Sequence, residues 1–453
     1  MTGDTATPYL ARRLGVFSAS CLVVSNMVGT GIFTTTGFLA ADLGSPLLVL
    51  AIWPFGALLV LTGAVCYAEL GINFPRSGGE YVYLSQAWGP AWGFVDGWVS
   101  FFAGFSAPIA VAAMAAVAYL GHVVPMLQLS NPNGFGLHIE PATAIACLIV
   151  VLLTLWNLWG VGRAAGLQNW LTGFKVIVIA LFIISGFTFG EGSWDHFGQV
   201  TERSSPHDLF DQFAISLIFI TFAYSGWNAA TYVGDELKTP QRTLPRSLFF
   251  GTLLVAAIYL TLNILFLYAL PLAEMKGVIG IGAQAADALF GGGIAATFSI
   301  LMAVSLLATV NAMVMIGPRV YYAMAKDGAF LRAAARVHPR WQTPWVAIVL
   351  QGVCCCALIL TGTFESLIYY IGFTLVLFSA LAVASLLLFR RRPGWLKLKA
   401  VSFAYPLLPL AYLTISFWIL SYTLVSRGWE ALFSLLTLLA GGLIYQWHRQ
   451  RTH

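Results

Sequence analysis

The sequence predicts an all-α polytopic membrane protein with twelve transmembrane helices, ten of them forming a five-plus-five inverted repeat. Hydrophobic residues make up 59% of the 453 residues and charged residues only 9%, whereas about a quarter of an ordinary soluble domain is charged. Apolar segments of about 20 residues, long enough to cross a bilayer as helices, recur along the whole chain. Small and polar residues interrupt two of these segments. The composition excludes a soluble enzyme, a disordered chain and a nucleic-acid-binding protein.

Helices are the expected spanning elements because each unpaired backbone group in lipid costs several kcal/mol. The short alternating segments of a membrane barrel are not found in the sequence. The candidate spans are 15–41, 46–72, 87–120, 141–161, 166–190, 208–233, 244–270, 293–325, 343–362, 365–390, 400–425 and 429–448. The first is expected to be a retained span, since it is long and lacks a small-residue cleavage site.

These spans divide the chain into two repeats, two further helices and two short tails. The divisions are an N-terminal tail 1–14, the first repeat with helices 1–5 at 15–190, the inverted second repeat with helices 6–10 at 208–390, helices 11 and 12 at 400–448, and a C-terminal tail 449–453.

The placement of lysine and arginine predicts the orientation, because these residues are enriched in cytoplasmic loops. With the N-terminus inside and twelve alternating spans, 19 of the 23 basic residues lie on the inner side. Three lie outside, at Arg203, Lys276 and Arg427, and Lys175 falls inside a span. Both termini are therefore expected in the cytoplasm, with the chain in the inner cell membrane.

The sequence offers no pattern for a cofactor or a metal. All six cysteines lie in apolar stretches without a CxxC spacing and are expected to act as small buried apolar residues. The seven histidines form no in-membrane pair, and no phosphate-binding GxxxxGK[ST] pattern occurs, so neither an embedded metalloenzyme nor ATP hydrolysis by this chain is expected. A channel or a receptor stays open as a further class.

Two spans carry small and polar residues near mid-membrane. In the first span Thr30 stands between Gly29 and Gly31, and the sixth span contains the run 222–228, Phe-Ala-Tyr-Ser-Gly-Trp-Asn. Glycine disfavours a continuous helix by about 1 kcal/mol relative to alanine. One interpretation is close packing of helices through small residues.

The pairing of the two sites favours a second interpretation. They lie five spans apart, so the spans that carry them run in opposite directions, which is the arrangement of an inverted repeat with a broken first helix in each half. At a break, free N–H groups favour an anion, and exposed carbonyls favour an ammonium. An amino acid zwitterion carries both charges on adjacent atoms. The breaks therefore indicate an amino acid site that needs no charged side chain.

Four motifs in order resemble the amino acid–polyamine–organocation superfamily over nearly the whole chain. They occupy 28–33, then 67–71 with 75–81, then 222–228 with 235–240 and 244–246, and finally 318–328. The resemblance implies the five-plus-five fold of that superfamily with two further helices. The run 222–228 is similar to the L-type amino acid transporter branch.

The resemblance also implies a substrate site. It implies that Gly29, Thr30 and Gly31 hold the carboxylate, that the backbone of Phe222, Ala223 and Ser225 receives the amine, that Phe222 forms an aromatic gate and that Asn228 makes a polar contact. Thr30 stands where serine is usual, and Ser225 where glycine is usual. Both departures narrow the pocket and favour small to medium neutral side chains, since one methylene is worth about 1–3 kcal/mol.

Lys175 lies about nine residues into span five, roughly 13 Å deep at 1.5 Å per residue. Its ammonium could snorkel to the interface. In sodium-independent members of the superfamily, however, a lysine at this place fills the volume of a sodium ion. The resemblance then implies contacts with the broken first helix and with a hydroxyl of span eight, Thr309 or less well Ser305. It also links Tyr259 to this network.

The predicted function is sodium-independent transport of L-amino acids, as an exchanger of small to medium neutral ones by alternating access. The alternative is a proton-coupled symporter or exchanger of cationic amino acids or polyamines, which a substrate role for Asp96 would favour. Eukaryotic L-type members join a glycoprotein through a cysteine between spans three and four. Segment 121–140 has no cysteine, so the chain is expected to work without such a subunit, as a monomer in the lipid bilayer.

Overall fold

The computed structural model describes residues 14–127, 140–278, 280–361, 364–426 and 428–452. Within these ranges the regular structure is helical, apart from an isolated bridge between Leu14 and Leu237. Residues 1–13 of the predicted N-terminal tail, 128–139 of the cysteine-free connection, Arg427 and His453 lie outside the described residues. The prediction of an all-helical chain is confirmed for the part that is described.

The first half of the chain is built from eight α-helices. They are α1 (Val16–Met27), α2 (Thr30–Leu43), α3 (Pro46–Asn73), α4 (Glu80–Trp88), α5 (Pro90–Val99), α6 (Ala107–Gly121), α7 (Pro141–Leu158) and α8 (Val161–Phe189). A π-helical segment, Ser100–Ser106, joins α5 to α6, and short 3-10 helices lie at Pro125–Leu127 and Trp194–Gly198. Several helices begin with proline, whose fixed φ suits the first helical position.

The second half continues in the same way. Its α-helices are α9 (Leu209–Ala223), α10 (Pro240–Ala269), α11 (Leu272–Met275), α12 (Ile281–Phe290), α13 (Gly292–Lys326), α14 (Trp345–Thr361), α15 (Phe364–Phe389), α16 (Lys399–Phe403), α17 (Leu407–Ser426) and α18 (Gly428–Thr452). Two 3-10 helices lie at Ala229–Glu236 and Arg332–Ala335.

Many of these helices are suited to a membrane. Among the described residues, nine helical segments are long and apolar enough to cross one, and three shorter apolar helices lie at Leu209–Ala223, Trp345–Thr361 and Ala431–Gln446. The first of these is short because α9 ends at the predicted break. A polytopic helical membrane protein is confirmed, while the count of twelve spans stays a prediction.

The two interrupted helices meet at the centre of the bundle. α10 packs against α1 and α3, α13 packs against α6 and α8, and α2 contacts α9. The approach of α2 to α9 is closest at Gly31, where an added Cβ would overlap Ala223. Only a residue without a side chain allows this contact, so the glycine brings the two breaks together.

A buried ion pair ties α3 to the end of α15. Glu69 is fully buried and receives two hydrogen bonds of 2.7 Å from Arg390, through Nε and Nη2. Trp395 Nε1 and the backbone N–H of Leu398 donate to the same carboxylate, at 2.8 and 2.9 Å. These partners come from residues 321 to 329 positions further along the chain, so the ion pair and its hydrogen bonds hold distant segments together.

We expect Arg390→Lys to lower the free energy of unfolding by about 1–2 kcal/mol, because lysine cannot reproduce the two-pronged contact with Glu69. Thermal unfolding of the detergent-solubilised protein measures the loss. Arg391→Lys is the matched control, since Arg391 is exposed. Equal melting temperatures for the two variants would contradict this role of Arg390.

Candidate functional site

The first break lies between α1 and α2. α1 ends at Met27, Val28 and Gly29 have non-helical backbone angles, and α2 begins at Thr30. No side chain caps the N-terminus of α2. The first N–H groups of a helix have no partner inside the helix, so the residues at the start of α2 present donors and a positive dipole end. The predicted interruption of the first span is present.

The second break follows α9. After Ala223 the chain turns, with the N–H of Ser225 donating to the carbonyl of Phe222 at 2.9 Å. Gly226 has φ of +91°, and a Cβ on it would lie 2.7 Å from the Cβ of Asn26. Both the left-handed backbone and the lack of space require glycine here. The turn therefore packs directly against the end of α1.

A narrow cavity lies between the breaks. Six of the predicted substrate residues line it, together with Thr309 and four further residues: Gly29, Thr30, Gly31, Phe222, Ala223 and Ser225, with Asn26, Met27, Pro108 and Met313. Its water-accessible volume is about 10 Å³, which is room for about one water. This volume is too small for a whole amino acid, so binding one requires the breaks to move apart. We refer to it as the central cavity.

Asn228 lies elsewhere. It lines an adjoining cavity with a water-accessible volume of about 40 Å³, which shares Asn26, Ser225 and Met313 with the central cavity. The side-chain amide of Asn228 donates to Glu80 Oε1 at 3.1 Å and to Tyr232 at 3.2 Å. Asn228 therefore does not line the central cavity. A polar contact between Asn228 and a substrate would occur in the adjoining cavity.

Lys175 is fully buried on α8, and its ammonium does not reach the interface. Nζ donates to the carbonyl of Val28 and, at 2.8 Å, to Thr309 Oγ1 on α13. The carbonyl of Ser25 lies 3.5 Å away, and Thr309 also donates to Val28 at 3.2 Å. The contacts are therefore those that the resemblance implies for Lys175 and Thr309, whereas the hydroxyl of Ser305 has no partner among the described residues.

Tyr259 connects the two breaks. Its hydroxyl, fully buried on α10, lies in hydrogen-bond contact with the carbonyl of Met27 and 2.9 Å from that of Ala223. The last carbonyls of α1 and α9 thus meet at one phenol, beside the central cavity. This position agrees with the network that the resemblance implies for Tyr259.

Glu80 was not identified from the sequence as a residue of the site. It begins α4, is 5% exposed, and its carboxylate accepts hydrogen bonds from Tyr67, from Asn228 and, at 3.2 Å, from Tyr232. Burial raises the pKa of its carboxyl, and these hydrogen bonds oppose the rise. Glu80 lies within the second motif, at 75–81, but nothing in the sequence indicated that its side chain would be buried.

A polar network also runs behind the first break. Asn157 donates to Asn311 at 2.9 Å, Asn311 donates to Gln168 Oε1 at 2.8 Å, and Gln168 Nε2 contacts the hydroxyl of Ser25. The network links α7, α13, α8 and α1, and its amides were not identified from the sequence because isolated polar residues carry no periodic signal.

Asp96 is 2% exposed on α5, and its Oδ1 has no hydrogen-bond partner among the described residues. It is not among the residues that line the central or the adjoining cavity. Among the described residues, no group of three or more His, Cys, Asp and Glu side chains could hold a metal ion.

Residues 14–443 of the chain match the family described as amino acid permease. The chain belongs to this family. The resemblance to the amino acid–polyamine–organocation superfamily is thereby confirmed. Members are membrane transporters of amino acids, so the chain is a transporter of this kind and not an enzyme.

Relatives of known function support the assignment. The chain is 30% identical to the serine/threonine exchanger SteT of Bacillus subtilis (strain 168), over 98% of each chain. It is 28% identical to the human large neutral amino acids transporter small subunit 2, over 89% of this chain and 74% of that one. It is 27% identical to the human b(0,+)-type amino acid transporter 1, over 98% and 89%.

Proposed function

We propose that this permease is a sodium-independent exchanger of small to medium neutral L-amino acids that works by alternating access. The observation that carries the proposal is the position of Lys175, whose ammonium is held between Val28 at the first break and Thr309. A tethered cation fixed behind the break supplies the positive charge that a coupling ion would otherwise bring. The serine/threonine exchanger among its relatives supports the same mode of transport.

The substrate site is proposed at the central cavity. The uncapped start of α2, at Gly29, Thr30 and Gly31, offers N–H groups and a positive dipole end to the carboxylate. The backbone of Phe222 to Ser225, at the end of α9, receives the amine, and Phe222 closes over the substrate. No charged side chain is needed in contact with the zwitterion, which avoids the cost of a buried charge.

The architecture that serves this mechanism is proposed to be the inverted repeat. Helices 1–5 (15–190) and helices 6–10 (208–390) form its two halves, followed by helices 11 and 12 (400–448). Together with the nine long apolar segments, the three shorter apolar helices would make twelve spans. The distribution of lysine and arginine supports a topology with both termini in the cytoplasm. We propose that the chain acts as a monomer without a glycoprotein subunit.

Counterflow in proteoliposomes tests the function. Vesicles are loaded with unlabelled amino acid, and uptake of the labelled form is followed with L-alanine, L-serine, L-threonine, L-leucine and L-phenylalanine. Stimulated uptake of the smaller ones, equal in sodium and choline buffers, is the expected result. Uptake that requires sodium, or the absence of counterflow for the whole panel, would contradict the proposal.

Thr30 and Ser225 are proposed to set the size limit of the substrate. We expect Thr30→Ser combined with Ser225→Gly to raise exchange of L-leucine or L-phenylalanine relative to L-alanine by at least tenfold, since one lost carbon alone is worth about 1–3 kcal/mol of discrimination. Competition in the counterflow assay measures the ratio. Thr261→Ser with Ser421→Gly, at positions that line neither cavity, is the control. An unchanged ratio in the first variant would refute the size limit.

A second candidate is proton-coupled transport of cationic amino acids or polyamines. The buried Oδ1 of Asp96, which has no hydrogen-bond partner among the described residues, favours it, because acidic groups inside membrane helices commonly mark proton or cation pathways. Adding L-lysine and putrescine to the panel, with and without a pH gradient, distinguishes the two. Uptake of either driven by an inward proton gradient, without counterflow of neutral amino acids, would favour this candidate.

A further inference from the structure

Glu80 and Glu69 are both buried, but only Glu69 has a positively charged partner among the described residues. Glu69 is compensated by the guanidinium of Arg390, 2.7 Å away. Glu80 is held only by uncharged donors, the hydroxyls of Tyr67 and Tyr232 and the amide of Asn228, and among the described residues it forms no ion pair. A buried carboxylate without a counter-charge is costly, and its solvation by three neutral groups leaves its charge available to a ligand.

The surroundings of Glu80 are those of a built site. It lines the adjoining cavity together with Ser100, Ser225 and Tyr232, and several lining residues of this cavity also line the central cavity. The volume of about 40 Å³ is room for an ammonium group with one or two waters, not for a whole amino acid. A ligand can therefore place only one end in this cavity, while the rest of the molecule lies outside it.

A turn that only glycine accommodates brings this carboxylate into place. Gly78 and Gly79 have φ of +123° and +53°, and a Cβ on Gly79 would lie 2.6 Å from the ring of Tyr232. The backbone N–H of Ser77 donates to Asp235 at 3.0 Å. The turn thus packs under the 3-10 helix Ala229–Glu236, on the side of the central cavity toward the predicted cytoplasmic face.

We infer that Glu80 forms an exit station for the primary ammonium group of the substrate, between the central cavity and the cytoplasm. The inference rests on the proposed function. When the breaks separate, the amine leaves the carbonyls at the end of α9 and is received by the Glu80 carboxylate within the adjoining cavity. Asn228, Tyr67 and Tyr232 are positioning residues that hold this carboxylate when no amine is present.

The test compares Glu80→Gln with Tyr67→Phe and Tyr232→Phe, using exchange of L-serine in right-side-out and everted membrane vesicles. Glu80→Gln keeps the shape but loses the charge, so the half-saturating L-serine concentration is expected to rise about tenfold at the cytoplasmic face and less than twofold at the outer face. The two phenylalanine variants keep the carboxylate and are expected to bind at least as well as the wild type. Glu191→Gln, at an exposed position, is the control.

The outcomes separate this inference from the proposed function. Absence of L-serine exchange in the wild type would overturn both. Normal exchange in the wild type with an equal change at both faces, or with no change, would overturn the station alone. Impairment of Tyr67→Phe and Tyr232→Phe to the level of Glu80→Gln would also overturn it, since Glu80 would then be a structural contact. Melting temperatures of all variants exclude misfolding as the cause.

Discussion

Lys175→Ala is expected to reduce amino acid exchange at least a hundredfold. The substitution removes the donor to the carbonyl of Val28 and to Thr309, and it leaves a cavity where a fully buried side chain was packed. A hundredfold loss corresponds to about 2.7 kcal/mol, within the cost of leaving buried polar groups without partners. Initial rates of labelled uptake in proteoliposomes measure the effect.

The control for this prediction is Ile177→Ala, two residues along α8, where the side chain is 60% exposed to the surroundings of the bundle. It is expected to exchange at the wild-type rate. The Lys175→Ala assay is repeated in sodium and choline buffers as a second readout. The exchange rate of the variant is expected to differ between the two buffers, because an added cation could enter the position that the lysine vacated. Wild-type exchange by Lys175→Ala would rule out the role of the lysine as an ion surrogate.

Gly31→Ala is expected to abolish binding of the substrate and exchange. A Cβ on Gly31 would lie 2.7 Å from Ala223 Cβ and 3.1 Å from Ala223 N, and it would overlap Ala223 Cα. These are backbone atoms and a short side chain, so nothing at the contact gives way without displacing α2 from α9. The displacement would change how the N–H groups of α2 face the carbonyls at the end of α9, so the two could no longer bind the carboxylate and the amine of one zwitterion together when the breaks move apart to admit it.

Gly173→Ala is the matched control, since it adds the same methyl group to a membrane helix where no heavy atom lies within 4 Å. The readouts are the shift of melting temperature by L-serine and the rate of exchange. We expect the shift to be lost in Gly31→Ala and kept in Gly173→Ala. Equal shifts in the two variants would show that the close approach of the breaks is not needed for binding.

Several parts of the site were predictable because they depend on short stretches of sequence. Glycines on both sides of Thr30 weaken a helix wherever they occur, and the break is present between Met27 and Thr30. The depth of Lys175 followed from its distance along an apolar span. Its partner Thr309 is 134 residues away, and that pairing was available only through the resemblance to a known family.

Other parts could not be predicted from the sequence. The burial of Glu80 could not be predicted, because its donors Asn228 and Tyr232 come from 148 and 152 residues further along the chain. The partner of Glu69, Arg390, is 321 residues away and was counted only as an orientation signal. Asn228 was placed with the breaks, yet the turn after α9 carries it into the adjoining cavity.

The sequence by itself determined the class of this protein. Three local properties carry this information: the shortage of charge, the apolar segments and the two glycine-containing interruptions. Each acts through the solvent or the backbone and does not depend on contacts with distant residues. The tertiary structure alone decided which buried charges are compensated and which face a cavity. That distinction depends on groups from separate helices, and the free energy of a buried charge is set by whichever of them the packing brings within hydrogen-bond distance.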